Sequence, residues 1–142
     1  MSAMKGHCLC GAVTLDVTAH CGFTAVCHCR MCQRWTGGLF ICVPADFAAV
    51  TVAGPVVVYR SSDVAERAFC GTCGSHLWYR THEGDGHYGL MPGLFDAALA
   101  LPLKSEIYTD RALSGLALPG SHPRATRAEY EAKNAHLEGD LP

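Results

Sequence analysis

Seven of the nine cysteines in this chain fall into three clusters: Cys8 and Cys10; Cys27, Cys29 and Cys32; Cys70 and Cys73. Two cysteines with two residues between them around a tight turn can both face one ion, and zinc takes thiolates in a tetrahedron at about 2.3 Å. The string Phe69-Cys70-Gly71-Thr72-Cys73-Gly74 meets that need, with a glycine after each cysteine where the backbone must curl to turn its N–H groups toward sulfur. A redox CxxC usually opens a helix in a βαβ setting, and no such pattern surrounds this one. Cys8-Leu9-Cys10-Gly11 is ambiguous alone, because CxC also puts two cysteines on one side of a strand. A knuckle that supplies two ligands, however, needs two more to close its shell.

Seven ligands divide most naturally into four and three. Four thiolates make a closed structural site, whereas three leave a position for water or a substrate thiol. Spacing alone permits two partitions. Cys8, Cys10, Cys70 and Cys73 can close one site and leave Cys27, Cys29 and Cys32 as a local cup, or Cys29 and Cys32 can join Cys70 and Cys73 in a zinc ribbon. Beside the cup, His28 could donate a proton, although consecutive side chains point apart, and His7 stands next to Cys8 in the same way. Arg30 and Arg34 could offset the charge of three thiolates or form a solvated helical face. Trp35 could wall an open site or pack in a core. Cys21 and Cys42 read as buried small hydrophobes or spectators.

The elements that must position these residues are short. Gly11 to Val17 alternates apolar and polar residues, and Leu39 to Val43 is a compact apolar run; both predict strands. Ala49 to Val52, Val56 to Arg60, Ala65 to Phe69, Leu77 to Tyr79, His87 to Leu90 and Ser105 to Tyr108 are further strand candidates between Gly, Pro, Asp and Ser turn signals. One or two helical turns are expected from Cys29 to Trp35, ended by Gly37-Gly38, with a short helix at Phe95 to Leu101. A peripheral C-terminal helix is expected within Ala125 to Leu137, where Glu129 and Glu131 precede Lys133.

At 142 residues, with 49% hydrophobic and 17% charged residues, the chain can bury one core of its own. A formal charge of -2 argues against a nucleic-acid partner, which demands clustered Lys and Arg. No apolar run approaches the roughly 20 residues of a membrane span, and the first residues lack the layout of a secretory signal. A cytoplasmic location is therefore expected. A reducing cytosol keeps thiols free, so nine cysteines direct attention to metal binding or redox chemistry rather than disulfides.

Three strings carry a family resemblance: Gly6-His7-Cys8-Leu9-Cys10-Gly11-Ala12-Val13, Cys27-His28-Cys29-Arg30-Met31-Cys32-Gln33-Arg34-Trp35-Thr36-Gly37 and Phe69-Cys70-Gly71-Thr72-Cys73-Gly74-Ser75. Together, in this order and at these separations, they resemble the glutathione-dependent formaldehyde-activating enzymes, a family that includes the centromere protein V type domains. The resemblance covers roughly Lys5 to Tyr108, with Tyr59-Arg60-Ser61-Ser62 also similar. It implies a mainly β, Mss4-like (β-tent) zinc-binding fold of short antiparallel strands; the shift to a polar composition beyond Pro119 marks residues 1–120 as the zinc-binding domain and 121–142 as a C-terminal tail with no counterpart in that family. It implies two Zn2+ ions per chain: a structural one on Cys8, Cys10, Cys70 and Cys73, and a catalytic one on Cys27, Cys29 and Cys32.

The activity implied is a carbon-sulfur lyase reaction run toward synthesis, joining glutathione to formaldehyde as S-(hydroxymethyl)glutathione, or another thiol to another small aldehyde. A zinc-containing module that binds a thiol or a protein without turnover, and a purely structural zinc protein, are the alternatives from other classes. The residues point to no oligomeric state and no glutathione-binding signature.

Overall fold

The computed structural model describes residues 2–82, 86–137 and 139–142. In chain order the strands and helices are β1 (Met4–His7), β2 (Thr14–Val17), β3 (Thr24–Cys27), α1 (Arg30–Thr36), β4 (Phe40–Asp46), β5 (Val50–Ala53), β6 (Val56–Arg60), β7 (Ala65–Cys70), β8 (His76–Thr81), β9 (His87–Leu90), β10 (Leu103–Ile107), β11 (Arg124–Ala125) and α2 (Arg127–Lys133). The protein is mainly β, as expected from the short alternating segments. Contacts group the chain into two compact units: Met1–Thr24 with Cys42–Pro102, and Ala25–Ile41 with Leu103–Pro142.

In the first unit, β2 lies between β1 and β5, antiparallel to both. A second antiparallel array runs β4-β9-β8-β7-β6. The alternation of β2 puts Leu15 and Val17 inside and Thr14 outside, the period-two pattern of a half-buried strand. Leu15 and Val17 join Val43, Ala45, Leu77, Leu90 and Phe95 in one core that also takes in Cys8 and Cys70. Two of the clustered cysteines are thus held by the best-packed part of this unit.

In the second unit, β10 lies beside β3 and pairs with β11 in parallel. The peptide N–H of His28 donates to the Ile107 carbonyl at 3.0 Å, which carries the pairing of β3 past its last residue. The chain then turns into α1. Cys29 is its N-cap, its sulfur accepting from the Cys32 N–H, and Gly37 closes it in the left-handed conformation.

The expected strand limits hold to within a residue or two for β4 to β10 except at the longer β4, and Phe95 to Leu101 forms a short 3-10 turn over Asp96–Ala100. Three strands lie where none is expected: β1, β3 and β11. The C-terminal helix is shorter than its sequence window. Thr126 starts it through a reciprocal capping box with Glu129, and it stops at Asn134.

Candidate metal centres

The first unit brings Cys8, Cys10, Cys70 and Cys73 together, all four sulfurs lying within 4.8 Å of one another. Cys8 and Cys10 sulfurs are 3.6 Å apart, and Cys10 and Cys70 sulfurs 3.9 Å. Four sulfurs about 2.3 Å from a central ion have tetrahedral edges of about 3.8 Å, so the spacing fits zinc and is far too long for a disulfide of about 2.05 Å.

Two similar turns make this geometry. Cys8 precedes a turn in which Gly11 donates to the Cys8 carbonyl at 3.0 Å; Cys70 precedes one in which Gly74 donates to the Cys70 carbonyl at 2.9 Å. Gly11 and Gly74 have φ of 79° and 76°, left-handed values that a side chain would strain. Curled this way, the backbone aims N–H groups at sulfur: Val13 at Cys8, 3.3 Å, and Thr72 at Cys70, 3.4 Å.

Ser75 ties the two turns together. Its hydroxyl oxygen accepts from the Leu9 N–H at 3.0 Å and stands 3.1 Å from the Cys73 sulfur. The Ser75 hydroxyl, followed by the Ser75 N–H, draws the Cys73 thiol down to about 5. This favours the thiolate form that binds metal.

The second unit brings Cys27, Cys29 and Cys32 together, again with sulfurs within 4.8 Å of one another and no fourth Cys, His, Asp or Glu in the group among the described residues. Contact with Cys29 and then Cys32 pushes Cys27 well above the ordinary thiol range, because adjacent thiolates repel. A cation among them removes that repulsion, and the all-thiolate donor set with one position left over suits zinc in an open site.

The surroundings of this cluster decide the roles open to its neighbours. His28 is buried, and its Nε2 lies 2.7 Å from Glu106 Oε1; the other Glu106 oxygen takes His122 and, at 3.0 Å, Arg124 Nε. Gln33, on the buried side of α1, donates from Nε2 to the carbonyls of His28 at 2.7 Å and Arg111 at 2.6 Å. Arg30 donates to the Gln33 side-chain oxygen. Asp140 Oδ1 accepts from the Arg30 N–H at 2.8 Å, and its Oδ2 pairs with Arg111 at 3.2 Å.

Other residues singled out by sequence fall outside the clusters. His7 is exposed and donates to the Cys8 carbonyl at 2.8 Å. Arg34 is exposed at the last turn of α1. Trp35 packs near Phe40, ring centroids 6.1 Å apart. Of the two cysteines expected to be buried small hydrophobes or spectators, Cys21 is exposed and Cys42 half-buried. Sequence reading missed Ser75, Glu106 and Asp140. Only Ser75 carried a local signal, its place two residues after Cys73.

A mainly β protein with one four-cysteine and one three-cysteine cluster, each able to hold a metal ion, is the class that fold and site define. The chain belongs to the glutathione-dependent formaldehyde-activating enzyme family, whose model matches residues 3–111. It is 28% identical over 111 residues to an uncharacterized lyase of Schizosaccharomyces pombe, covering 78% of this chain and 81% of that one. It is 33% identical over 89 residues to a Podospora anserina protein provisionally named a glutathione-dependent formaldehyde-activating enzyme, covering 58% of this chain and 42% of the relative. A crystal structure of a Rhodobacter sphaeroides protein shares the fold, with a TM-score of 0.57 and 24% identity over 71% of this chain and all (100%) of that one. Among the described residues no helix is long and apolar enough to cross a membrane.

Proposed function

We propose that this chain is a zinc-dependent enzyme of the carbon-sulfur lyase type that joins a thiol such as glutathione to formaldehyde or another small aldehyde. The observation that carries it is the three-sulfur cluster of Cys27, Cys29 and Cys32, short of a fourth protein ligand among the described residues, in a chain that also has a separate four-sulfur cluster. In this reading Cys8, Cys10, Cys70 and Cys73 hold a structural zinc, and the three-cysteine set holds the catalytic one.

When bound, the catalytic zinc supplies an open coordination position and a positive charge that favours the thiolate form of an incoming thiol. The protein's own part is to hold the cup rigid. The Cys29 sulfur is fixed by the Cys32 N–H, the loop carbonyl of His28 by Gln33, and the His28 ring by Glu106. In the reaction the thiol sulfur forms a bond to the carbonyl carbon, the π pair of the C=O bond moves to oxygen, and the proton lost by the thiol ends there. Neither oxidant nor reductant is involved. Holding thiol and aldehyde together provides most of the acceleration.

The test is two-dimensional exchange NMR on glutathione and formaldehyde with the zinc-loaded protein. Exchange between free and S-hydroxymethyl glutathione accelerates with catalytic amounts of protein, and replacing Cys29 by Ser abolishes the effect. An unaltered exchange rate with a panel of small thiols and aldehydes would sink the proposal and leave a binding module.

A further inference from the structure

Because α1 starts inside the three-cysteine loop, the N–H groups of its first turn belong to Arg30, Met31 and Cys32. A helix leaves its first N–H groups without partners of its own. Here the Cys32 N–H donates to the Cys29 sulfur at 3.3 Å, while those of Arg30 and Met31 donate to Asp140 Oδ1 at 2.8 and 3.4 Å. A ligand sulfur and a carboxylate from the tail thus share the donors of the metal loop.

The four-cysteine cluster uses its donors differently. There the N–H two residues after Cys70, on Thr72, donates to the Cys70 sulfur at 3.4 Å. The corresponding N–H after Cys29 is that of Met31, and it is turned to Asp140 instead.

Asp140 is buried and held from several sides. Its Oδ2 lies 3.2 Å from Arg111 Nη1. Its N–H donates at 3.0 Å to Glu131 Oε1, which also takes the Tyr108 hydroxyl and Arg127 Nε. Arg111 reaches the loop from its other side: its carbonyl accepts from Gln33 Nε2 at 2.6 Å, and the same nitrogen donates to the His28 carbonyl at 2.7 Å. The N–H groups and a carbonyl of the loop therefore end on one network. Asp140 lies beyond residues 3–111, the part matched by the family model, so the family pattern does not supply this acid.

We infer that Asp140 is a positioning residue of the three-cysteine site, its carboxylate holding the Arg30 and Met31 N–H groups so that the Cys29–Cys32 turn keeps its shape and the Cys29 sulfur is spared a backbone hydrogen bond. A thiolate with fewer N–H donors keeps more charge to share with a metal, and partners behind the ligands tune affinity. Asp140 is not one of the grouped ligands and acts through the backbone of the loop. The inference rests on the metal-binding part of the reading above and is independent of turnover and of the thiol and aldehyde used.

The test is NMR of the full chain loaded with 113Cd2+ in place of zinc. Wild type gives two resonances, and the one lost in Cys29→Ser belongs to the three-cysteine site. Asp140→Ala shifts that resonance, leaves the four-cysteine one in place as the sign of a retained fold, and weakens cadmium binding at the three-cysteine site by about 10-fold against a chelator. Asp140→Asn, which keeps one acceptor oxygen, shifts the same resonance less; if Asp140→Ala does not fold, a shift of this resonance alone in Asp140→Asn supports the inference and no shift overturns it. Thr126→Ala, which uncaps α2 without touching the loop, moves neither resonance. Two resonances that stay put in the Asp140 variants overturn the inference, as does an equal shift in Thr126→Ala. A single wild-type resonance unaffected by Cys29→Ser instead removes the three-cysteine metal site itself, and the inference falls with it.

Discussion

His28 and Glu106, 78 residues apart, meet at 2.7 Å between Nε2 and Oε1, both buried in the unit that carries Cys27, Cys29 and Cys32. The histidine belongs to the cysteine loop and the glutamate to β10, so the pair fixes the loop to the strand beside it. A buried carboxylate is tolerated because His28, His122 and Arg124 all contact it. Removing it leaves those three donors without their acceptor. Glu106→Ala therefore costs about 3 kcal/mol of stability in urea unfolding, and Glu106→Gln, which keeps one acceptor, costs less. Equal, negligible losses would show that the network does not hold the loop.

The same pair sets a pH dependence. Burial alone would raise the Glu106 carboxyl, but hydrogen bonds from His122 and His28, with the charges of His28 and Arg124, outweigh it and hold the group below the ordinary carboxylate range. A carboxyl lowered on folding contributes stability that is fully present above its unfolded value and lost as pH falls through its folded value. Stability of wild type should then decline as pH drops below about 4.5, more steeply than that of Glu106→Gln. Parallel pH profiles for the two proteins would remove Glu106 as the cause.

Ser75 bridges the two turns of the four-cysteine cluster, holding Leu9 N–H and the Cys73 sulfur. Such partners of a metal ligand govern affinity without touching the ion. Ser75→Ala should lower zinc affinity by about 10-fold or more, measured by competition with a chelator, while the circular dichroism spectrum of the zinc-loaded protein stays unchanged. Wild-type affinity in the variant would make the serine a bystander.

A buried carboxylate helps to fasten the tail. Asp140 accepts from the backbone N–H groups of Arg30 and Leu141 at 2.8 Å each and pairs with Arg111 at 3.2 Å. Charge-assisted bonds of this kind are worth roughly 1.5–3 kcal/mol. Asp140→Asn should expose the chain after α2 to limited proteolysis and destabilise the protein by about 2 kcal/mol. A proteolysis pattern matching wild type would show the tail to be held by other contacts.

The cysteine clusters were legible in the sequence because each is local: CxC, CxCxxC and CxxC place their sulfurs through one turn of backbone, and glycines mark where it curls. Spacing left open which clusters would meet, and the family resemblance alone chose the pairing, since Cys8 and Cys70 come together through the packing of β2, β7 and their neighbours. The strands bounded by clear turn signals, such as Val56–Arg60 after Gly54-Pro55 and His87–Leu90 ahead of Pro92, stand where expected. β1 and β3 escaped notice because Met4–His7 and Thr24–Cys27 are four-residue segments with weak alternation, defined by their partners rather than by themselves. Glu106 and Asp140 were illegible for the same reason: nothing near them in sequence signals a cysteine loop that lies between 74 and 113 residues away, and the tail reads as polar surface until its contacts are known.

The most direct measurement is zinc stoichiometry of wild type beside Cys29→Ser and Cys73→Ser. Two zinc ions per wild-type chain are expected, one in Cys29→Ser with the fold retained, and a poorly folded protein for Cys73→Ser, because losing a structural site removes folding free energy directly. One zinc per wild-type chain, unaffected by Cys29→Ser, would contradict an open metal site at Cys27, Cys29 and Cys32.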